Sequence, residues 1–592
     1  MTPRLSLRSV PDIPTAVSAV GRRLSLSGRQ PTLLELDLSR GLLEARPADQ
    51  LAALRSRHTP TLRVLVEQLA RAEKQPSVVG LVAQLGPEVL SASQAEELGA
   101  AVERFAATGR PTVCWTESFG ELGAATVPYL LATFFQEVWL QPSGSLGLLG
   151  VSARGVFVRS ALDRLGVEPE LGQRHEYKNA ADLMLRSSMS EPNREALQRV
   201  ADSVLDQVVA TTARRRRLEL GQVRAAVDSG PLTAQQALDA KLVDRIGYRD
   251  EVYAQLRERL ATHGKLELRY VHRWSPPPAA AARARARNRG RPVVAVVNVT
   301  GGITRGRSGS SPLQGAHAGA DTVTAALRAA GDRDDVRAVV LRVVSPGGSY
   351  VASDAIRRAV LQLRAGGRPV VASMGSVAAS GGYFVAMPCD EVVATPSTVT
   401  GSIGVLGGKL VIRAALLKIG VGVESVSAGA HASMFGTDRR FAPDEWQRVD
   451  EWLDAVYADF TAKAAQDRGM AYDQLEPLAR GRVWTGADAV DRGLVDRLGG
   501  LRIAVERAVV RAGVDPSDVR VDTVPRVSAL QRLQPAKSSE TPAAAAGAGW
   551  GLGVGPELSI GRGMEAVAVA LAAEAGWPVA GVLTLPGNWL LT

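Results

Sequence analysis

The chain is written twice, and no other feature constrains its fold as much. "PTLLELDLSRG" from Pro31 parallels "PVVAVVNVTGG" from Pro292, and "GRPTVCWTES" from Gly109 parallels "GRPVVASMGS" from Gly367. "VRSALDRLGV" from Val158 matches "IRAALLKIGV" from Ile412, and "TAQQALDAKLVDRIG" from Thr233 matches "TGADAVDRGLVDRLG" from Thr485. Four matches in one order, at separations of about 250 to 260 residues, are a duplication. A chain of 592 residues is also too long for one core, so each copy is expected to build its own.

Within each copy, β-branched runs alternate with helical periodicity. "VRAVVLRVVSP" reads as a buried strand, "YVASDAIRRAVLQLRAGG" as a helix ending at glycines, and "RPVVASMG" as the next strand. Strands this apolar, spaced by helices, predict parallel βαβ units covered on both faces. The expected class is α/β, two tandem copies with helical extensions such as "FAPDEWQRVDEWLDAVYADFTAKAAQDRG". The expected boundaries are an N-terminal segment 1–30, a first copy 31–270, a linker 271–291, a second copy 292–516 and a tail 517–592. The linker holds "SPPPAAAARARARNRGR" and reads as a solvated connection, and the tail is low in complexity and then apolar.

A net charge of +10 points to an anionic partner, but part of the excess is the single run "RARARNRGR". No stretch interleaves basic and aromatic residues as single-strand binding platforms do, so nucleic acid is not expected. Cys114 and Cys389 lie in apolar stretches without CxxC or Cys/His spacing, which predicts buried thiols and no metal site. No run of about 18 uncharged apolar residues predicts a transmembrane helix, and the first residues lack the apolar core of a secretory signal. The tail "GMEAVAVALAAEAGWPVAGVLTLPGNWLLT" comes closest, broken by Glu565, Glu574 and two prolines. It could touch a membrane surface, pack on the protein, or hang loose. The expected location is cytoplasmic, or peripheral at the inner face of the cell membrane.

Duplicated domains are most informative where they diverge. "AATVPYLLA" (Ala124 to Ala132) aligns with "AASGGYFVA" (Ala378 to Ala386), so that Ser380 faces Thr126 and Gly381-Gly382 face Val127-Pro128. The second copy keeps free N–H groups after its serine, where the first has a proline with none. Upstream, "SPGGSYVASD" in the second copy stands against "LGPEVLSASQ" in the first. An N–H from the Gly347–Gly348 turn and one from Gly381 could form an oxyanion hole for a tetrahedral intermediate. A serine nucleophile needs a base. None of the six histidines has evident triad company, although His175 stays a candidate. The other route is a buried lysine with a depressed pKa. The first copy offers Lys178 in "RHEYKNAADLMLRSSMS", where the second reads "SAGAHASMFGTDRRF" without a lysine. Each half keeps what the other has lost.

"EYKNA", "LRVVSPGGS", "SVAASGGYFVAM" and "TPSTVTGSIGV", in this order, resemble the signal peptide peptidase A family, the serine–lysine peptidases of bacteria and plastids, in its long duplicated form. The resemblance runs from about Pro31 to Val510. It implies a fold like that of the Clp protease and crotonase superfamily, with Ser380 as nucleophile and Lys178 as general base. It also implies that Ser402, the serine of "GSIG", supports the lysine amine, and that Gly347, Gly348 and Gly381 bind the oxyanion. Further implications are peptide substrates such as cleaved signal peptides, a homo-oligomeric ring or dome (a tetramer among the options), and no metal or organic cofactor. Many members carry an N-terminal membrane anchor, and none is expected here. Two rivals are a crotonase-like acyl-CoA hydratase or hydrolase, which would leave Lys178 without a role, and a catalytically inactive membrane-associated scaffold.

Overall fold

The computed structural model describes residues 31–38, 41–45, 56–86, 90–260, 266–311, 315–524 and 583–584. Val, Leu and Ala dominate the central strands, and parallel strands buried on both faces need no polar alternation. In the first copy they form one parallel sheet, in the spatial order Arg245–Ile246, Glu137–Leu140, Thr112–Thr116, Val78–Gln84, Thr32–Asp37, Glu267–Tyr270. The second copy repeats that order with Arg497–Leu498, Glu391–Ala394, Val370–Ala379, Val336–Ser345, Val293–Thr300 and Arg520–Thr523. The architecture is therefore α/β in two tandem copies, with long helices Glu191–Arg216 and Pro443–Arg468 as the extensions.

The copies repeat side-chain contacts as well as strand order. The Tyr129 hydroxyl donates to the Leu242 carbonyl at 2.7 Å, and the Tyr383 hydroxyl donates to the Leu494 carbonyl at 2.9 Å. Arg216 pairs with Asp244 as Arg468 pairs with Asp496.

Two local features depart from expectation. The stretch read as a solvated linker contains a helix, Pro278–Arg287. Proline fits the first turn of a helix, and alanine and arginine are among its best formers, so charge alone was a poor sign of a coil. The strand Arg520–Thr523 lies past 516, where the second copy was expected to end. It closes the second sheet as Glu267–Tyr270 closes the first. Cys114 and Cys389 are both buried. No helix among the described residues is long and apolar enough to cross a membrane. The N-terminal segment and the tail's expected membrane contact lie outside the described residues.

The copies are joined through a shared interior. Glu168–Gln173 of the first pairs antiparallel with Leu406–Val411 of the second. Ala379, Val399 and Val483 of the second copy pack into the hydrophobic cluster of the first. Arg342 of the second copy reaches the carboxylates of Glu97 (3.0 Å) and Glu44, and all three are largely removed from water. Such a buried cluster fixes one arrangement, since losing either partner strands a charge. The two dissimilar halves thus meet in a single register.

Candidate active site

Ser380 sits where the strand Val370–Ala379 turns into the helix Gly381–Ala386. Its backbone has φ 54° and ψ −114°, a sparsely populated region for a residue with a Cβ. Such a conformation costs about 1–3 kcal/mol and persists only where the surroundings hold it. Here the Ser380 N–H donates to the Gly401 carbonyl at 2.8 Å, and the Ser380 carbonyl accepts from the Phe384 N–H at 2.8 Å. The serine is held at the head of a helix whose first N–H groups have no intrahelical acceptor. Gly381 owns one of these. A Cβ on Gly381 would stand 3.1 Å from the Gly348 nitrogen and 2.8 Å from Ser353 Oγ, so the two glycine amides are neighbours.

The Gly347–Gly348 turn presents one amide outward. The Gly347 N–H donates to Ser345 Oγ at 3.1 Å, and the Ser349 N–H donates to the Ile303 carbonyl at 2.8 Å. Main-chain groups of successive residues in a strand face opposite edges, so the Gly348 N–H faces away from Ile303. Gly348 has φ +151°, and a Cβ there would fall 2.1 Å from the Ile303 carbonyl oxygen. Only glycine fits.

Lys178 enters from the first copy at the start of the short turn Asn179–Ala181. It is 1% exposed, and its Nζ lies 2.8 Å from Ser380 Oγ, 3.1 Å from the Ser402 carbonyl oxygen and 3.0 Å from Ser402 Oγ. Burial drives its pKa well below the ordinary lysine value, and no carboxylate opposes that shift. A neutral amine has two N–H donors and one lone pair. Its donors match the two Ser402 oxygens, which leaves the lone pair for the Ser380 hydroxyl. Ser402 itself has φ +51°, and its N–H donates to the Arg482 carbonyl at 2.7 Å. His175 is elsewhere engaged: its ring packs against Tyr457 with centroids 4.4 Å apart and faces Glu476. Lys178, Gly348, Ser380, Gly381 and Ser402 are thus brought together, whereas Gly347, also expected to bind the oxyanion, gives its N–H to Ser345 Oγ and serves the turn only.

The model of Peptidase family S49 matches the chain twice, over residues 104–263 and 362–515. The chain belongs to that family. It is 30% identical to the chloroplastic serine protease SPPA of Arabidopsis thaliana over 477 residues, 80% of this chain and 68% of the relative. It is 32% identical to Protease 4 of Salmonella typhi over 458 residues, 75% of this chain and 71% of that one. Protease 4 of Haemophilus influenzae is 30% identical over 488 residues, 78% and 75% of the two chains. Among solved structures, a ClpP1 mutant from Listeria monocytogenes aligns at a TM-score of 0.24 and 14% identity over 38% of this chain and 99% of its own. That likeness is too slight to carry an argument. With the S49 family shown and relatives named serine protease SPPA and Protease 4, the chain is a serine protease.

The candidate site has a part that the sequence did not point to. Arg480, Gly481 and Arg482 of the second copy wrap the lysine of the first. Gly481, with φ +81°, lies so close that a Cβ would come 2.5 Å from the Lys178 Cα and Cβ. Its N–H donates to the Ile403 carbonyl of its own copy, 2.7 Å away. Arg482 lies over the Tyr177 ring at 4.6 Å and pairs with Glu195 at 2.6 Å, while Arg480 approaches Glu176 at 3.6 Å. Glu176 and Tyr177, the two residues before Lys178, are thus held by the arginines on either side of Gly481. The comparison between copies carried the signal: "ARGRVWT" stands where the first copy reads "VDSGPLT", without arginines.

Proposed function

We propose that Ser380 and Lys178 form the nucleophile–base pair of a peptidase assembled from both copies of the repeat. What supports this most is the 2.8 Å contact between Lys178 Nζ and Ser380 Oγ in a buried setting that favours the neutral amine. Lys178 takes the Ser380 proton as Oγ attacks the peptide carbonyl carbon. The N–H groups of Gly348 and Gly381 receive the resulting oxyanion, each such donor being worth roughly 3 kcal/mol in the transition state. The Lys178 ammonium, its N–H groups held by Ser402, then gives its proton to the leaving nitrogen as the C–N bond breaks. A water deprotonated by the same amine hydrolyses the acyl ester and regenerates Ser380.

Substrates are peptides presented in extended form, cleaved signal peptides or similar apolar segments, since small residues around the serine leave room for a strand beside it. The same reading takes the working form to be a homo-oligomeric ring, cytoplasmic or peripheral at the inner membrane face. Fluorophosphonate labelling across pH tests the chemistry. Wild type is expected to label increasingly as pH rises through the lysine's depressed pKa, with Ser380→Ala and Lys178→Ala blank. Normal labelling of Lys178→Ala would move the base elsewhere, and an unreactive wild type would sink the reading.

A further inference from the structure

The outward edge of Gly347–Gly348 is already paired. Leu583–Thr584, from the far end of the chain, lies antiparallel to it, with Gly347 opposite Thr584 and Gly348 opposite Leu583. These two residues extend a five-stranded sheet whose next members are Gly347–Gly348, Gly302–Thr304, Gly315–Gly319 and Gly309–Ser311. An open strand edge beside a nucleophile is where a peptide would add itself through main-chain hydrogen bonds. The Gly348 amide, turned away from Ile303, faces this same edge. The tail's strand therefore stands where the proposed reaction needs an extended substrate.

Two further observations fit an occupant of that kind. Ser380 has no exposed surface, so a peptide reaching its hydroxyl requires a neighbour to move aside. After Glu574 the chain reads "AGWPVAGVLTLPGNWLLT", with no charged residue and many small or apolar ones. That is the chemistry of the substrates named above. Leu583–Thr584, paired antiparallel to the glycine edge beside the nucleophile and set in a stretch of substrate composition, has the character of a substrate mimic.

We propose that Leu583–Thr584 is a resident competitor, a strand of the chain itself that occupies the substrate edge and must be displaced before a peptide is cut. This rests on the peptidase reading of Ser380. Because the tail is tethered, its effective concentration at the edge is of the order of millimolar, and weak pairing suffices to raise the apparent KM. The tail competes for binding and takes no part in bond making, so kcat is not lowered by its removal.

The test compares the full chain with a chain ending at Val582, and with a full-length double variant, Leu583→Pro with Thr584→Pro, which leaves neither residue an N–H to give to the Gly347–Gly348 edge. Each is assayed for hydrolysis of a fluorogenic apolar peptide and for fluorophosphonate labelling. The expected result is a KM lower by about threefold or more in both altered chains, with kcat not reduced and labelling faster. A synthetic peptide of residues 575–592 should restore the higher KM of the shortened chain by competition. Equal KM values in all three chains, with labelling intact, would overturn the competitor and leave the peptidase standing. Absence of labelling in every form would overturn both.

Discussion

Replacing Lys178 by methionine separates chemistry from packing at this site. Methionine keeps an unbranched stem of similar length and removes only the amine. The proposed general base is then gone, and the expected loss in acylation rate is about 10²–10⁴-fold, or roughly 3–5 kcal/mol of barrier. Stability is expected to move the other way at neutral pH. The lysine's folded pKa lies well below its ordinary value of 10.5 because burial opposes the charge. Between those two values the unfolded chain binds the proton and the folded chain does not, so wild-type stability rises with pH. Each pH unit of that separation costs the wild type about 1.4 kcal/mol at its lower end. Against this, methionine forfeits the hydrogen bonds to Ser402, worth about 1 kcal/mol each. Lys178→Met should therefore unfold at a higher temperature than wild type near neutrality, with the advantage shrinking as pH approaches 10.5. Labelling kinetics and thermal unfolding across pH read both effects. Labelling within about tenfold of wild type would refute the assignment of the base, and a stability deficit constant across pH would refute the burial argument.

Other perturbations probe the supports of the pair. Gly481→Ala forces a methyl group against the Lys178 backbone, and should cut kcat with little change in KM while moving the acid limb of the pH–rate profile upward as water reaches the amine. An unshifted profile would reduce Gly481 to a folding residue. Gly348→Ala, whose Cβ would overlap the Ile303 carbonyl, should abolish activity at the oxyanion step, losing about 10²-fold or more in peptide hydrolysis. Glu96 accepts hydrogen bonds from Ser397 across the junction of the copies, and burial raises its pKa to about 7. The folded chain therefore binds this proton where the unfolded chain has released it, and the stability it contributes is lost as pH rises from about 4.5 through about 7. Glu96→Gln should raise the melting temperature above pH 7 and leave it nearly unchanged at pH 4, as calorimetry would show.

The fold was legible because each copy had to solve the same packing problem. Strand runs such as Val336–Ser345 carry β-branched residues on both faces, and the repeat then supplied the order of the second sheet from the first. Ser380 and the glycines were legible for a different reason, since the copies disagree there while agreeing at Tyr129 and Tyr383. The helix Pro278–Arg287 escaped because an Ala/Arg run serves a helix as well as a solvated connection. The strand Arg520–Thr523 escaped because it is an edge strand of four residues, too short to show a period. The grip of Arg480, Gly481 and Arg482 on Lys178 escaped because it exists only between the copies, and no local pattern in either one encodes a contact across about 300 residues.

The duplication also explains why the site is divided. A single copy that held both serine and lysine would have to bury the amine within its own small interior. Two copies packed together bury it between them, and the strained backbones around it confirm how tightly: Ser380, Ser402 and Arg480 all have positive φ without being glycine. Ser380 and Ser402 donate their N–H groups to the carbonyls of Gly401 and Arg482, and Arg480 donates its N–H to the Tyr457 hydroxyl, all within the second copy, while Lys178 is the first copy's contribution. Separating the copies would then expose the amine, raise its pKa toward the ordinary lysine value and remove its contact with Ser380 at once. The burial that favours the neutral amine of Lys178 is the same burial that holds the copies in register. Weakening the junction far from Ser380, as Arg342→Ala would by stranding Glu97 and Glu44, should therefore lower the fraction of neutral Lys178 at neutral pH. The measurable sign is a labelling profile shifted to higher pH, with the same plateau rate once the amine is fully deprotonated.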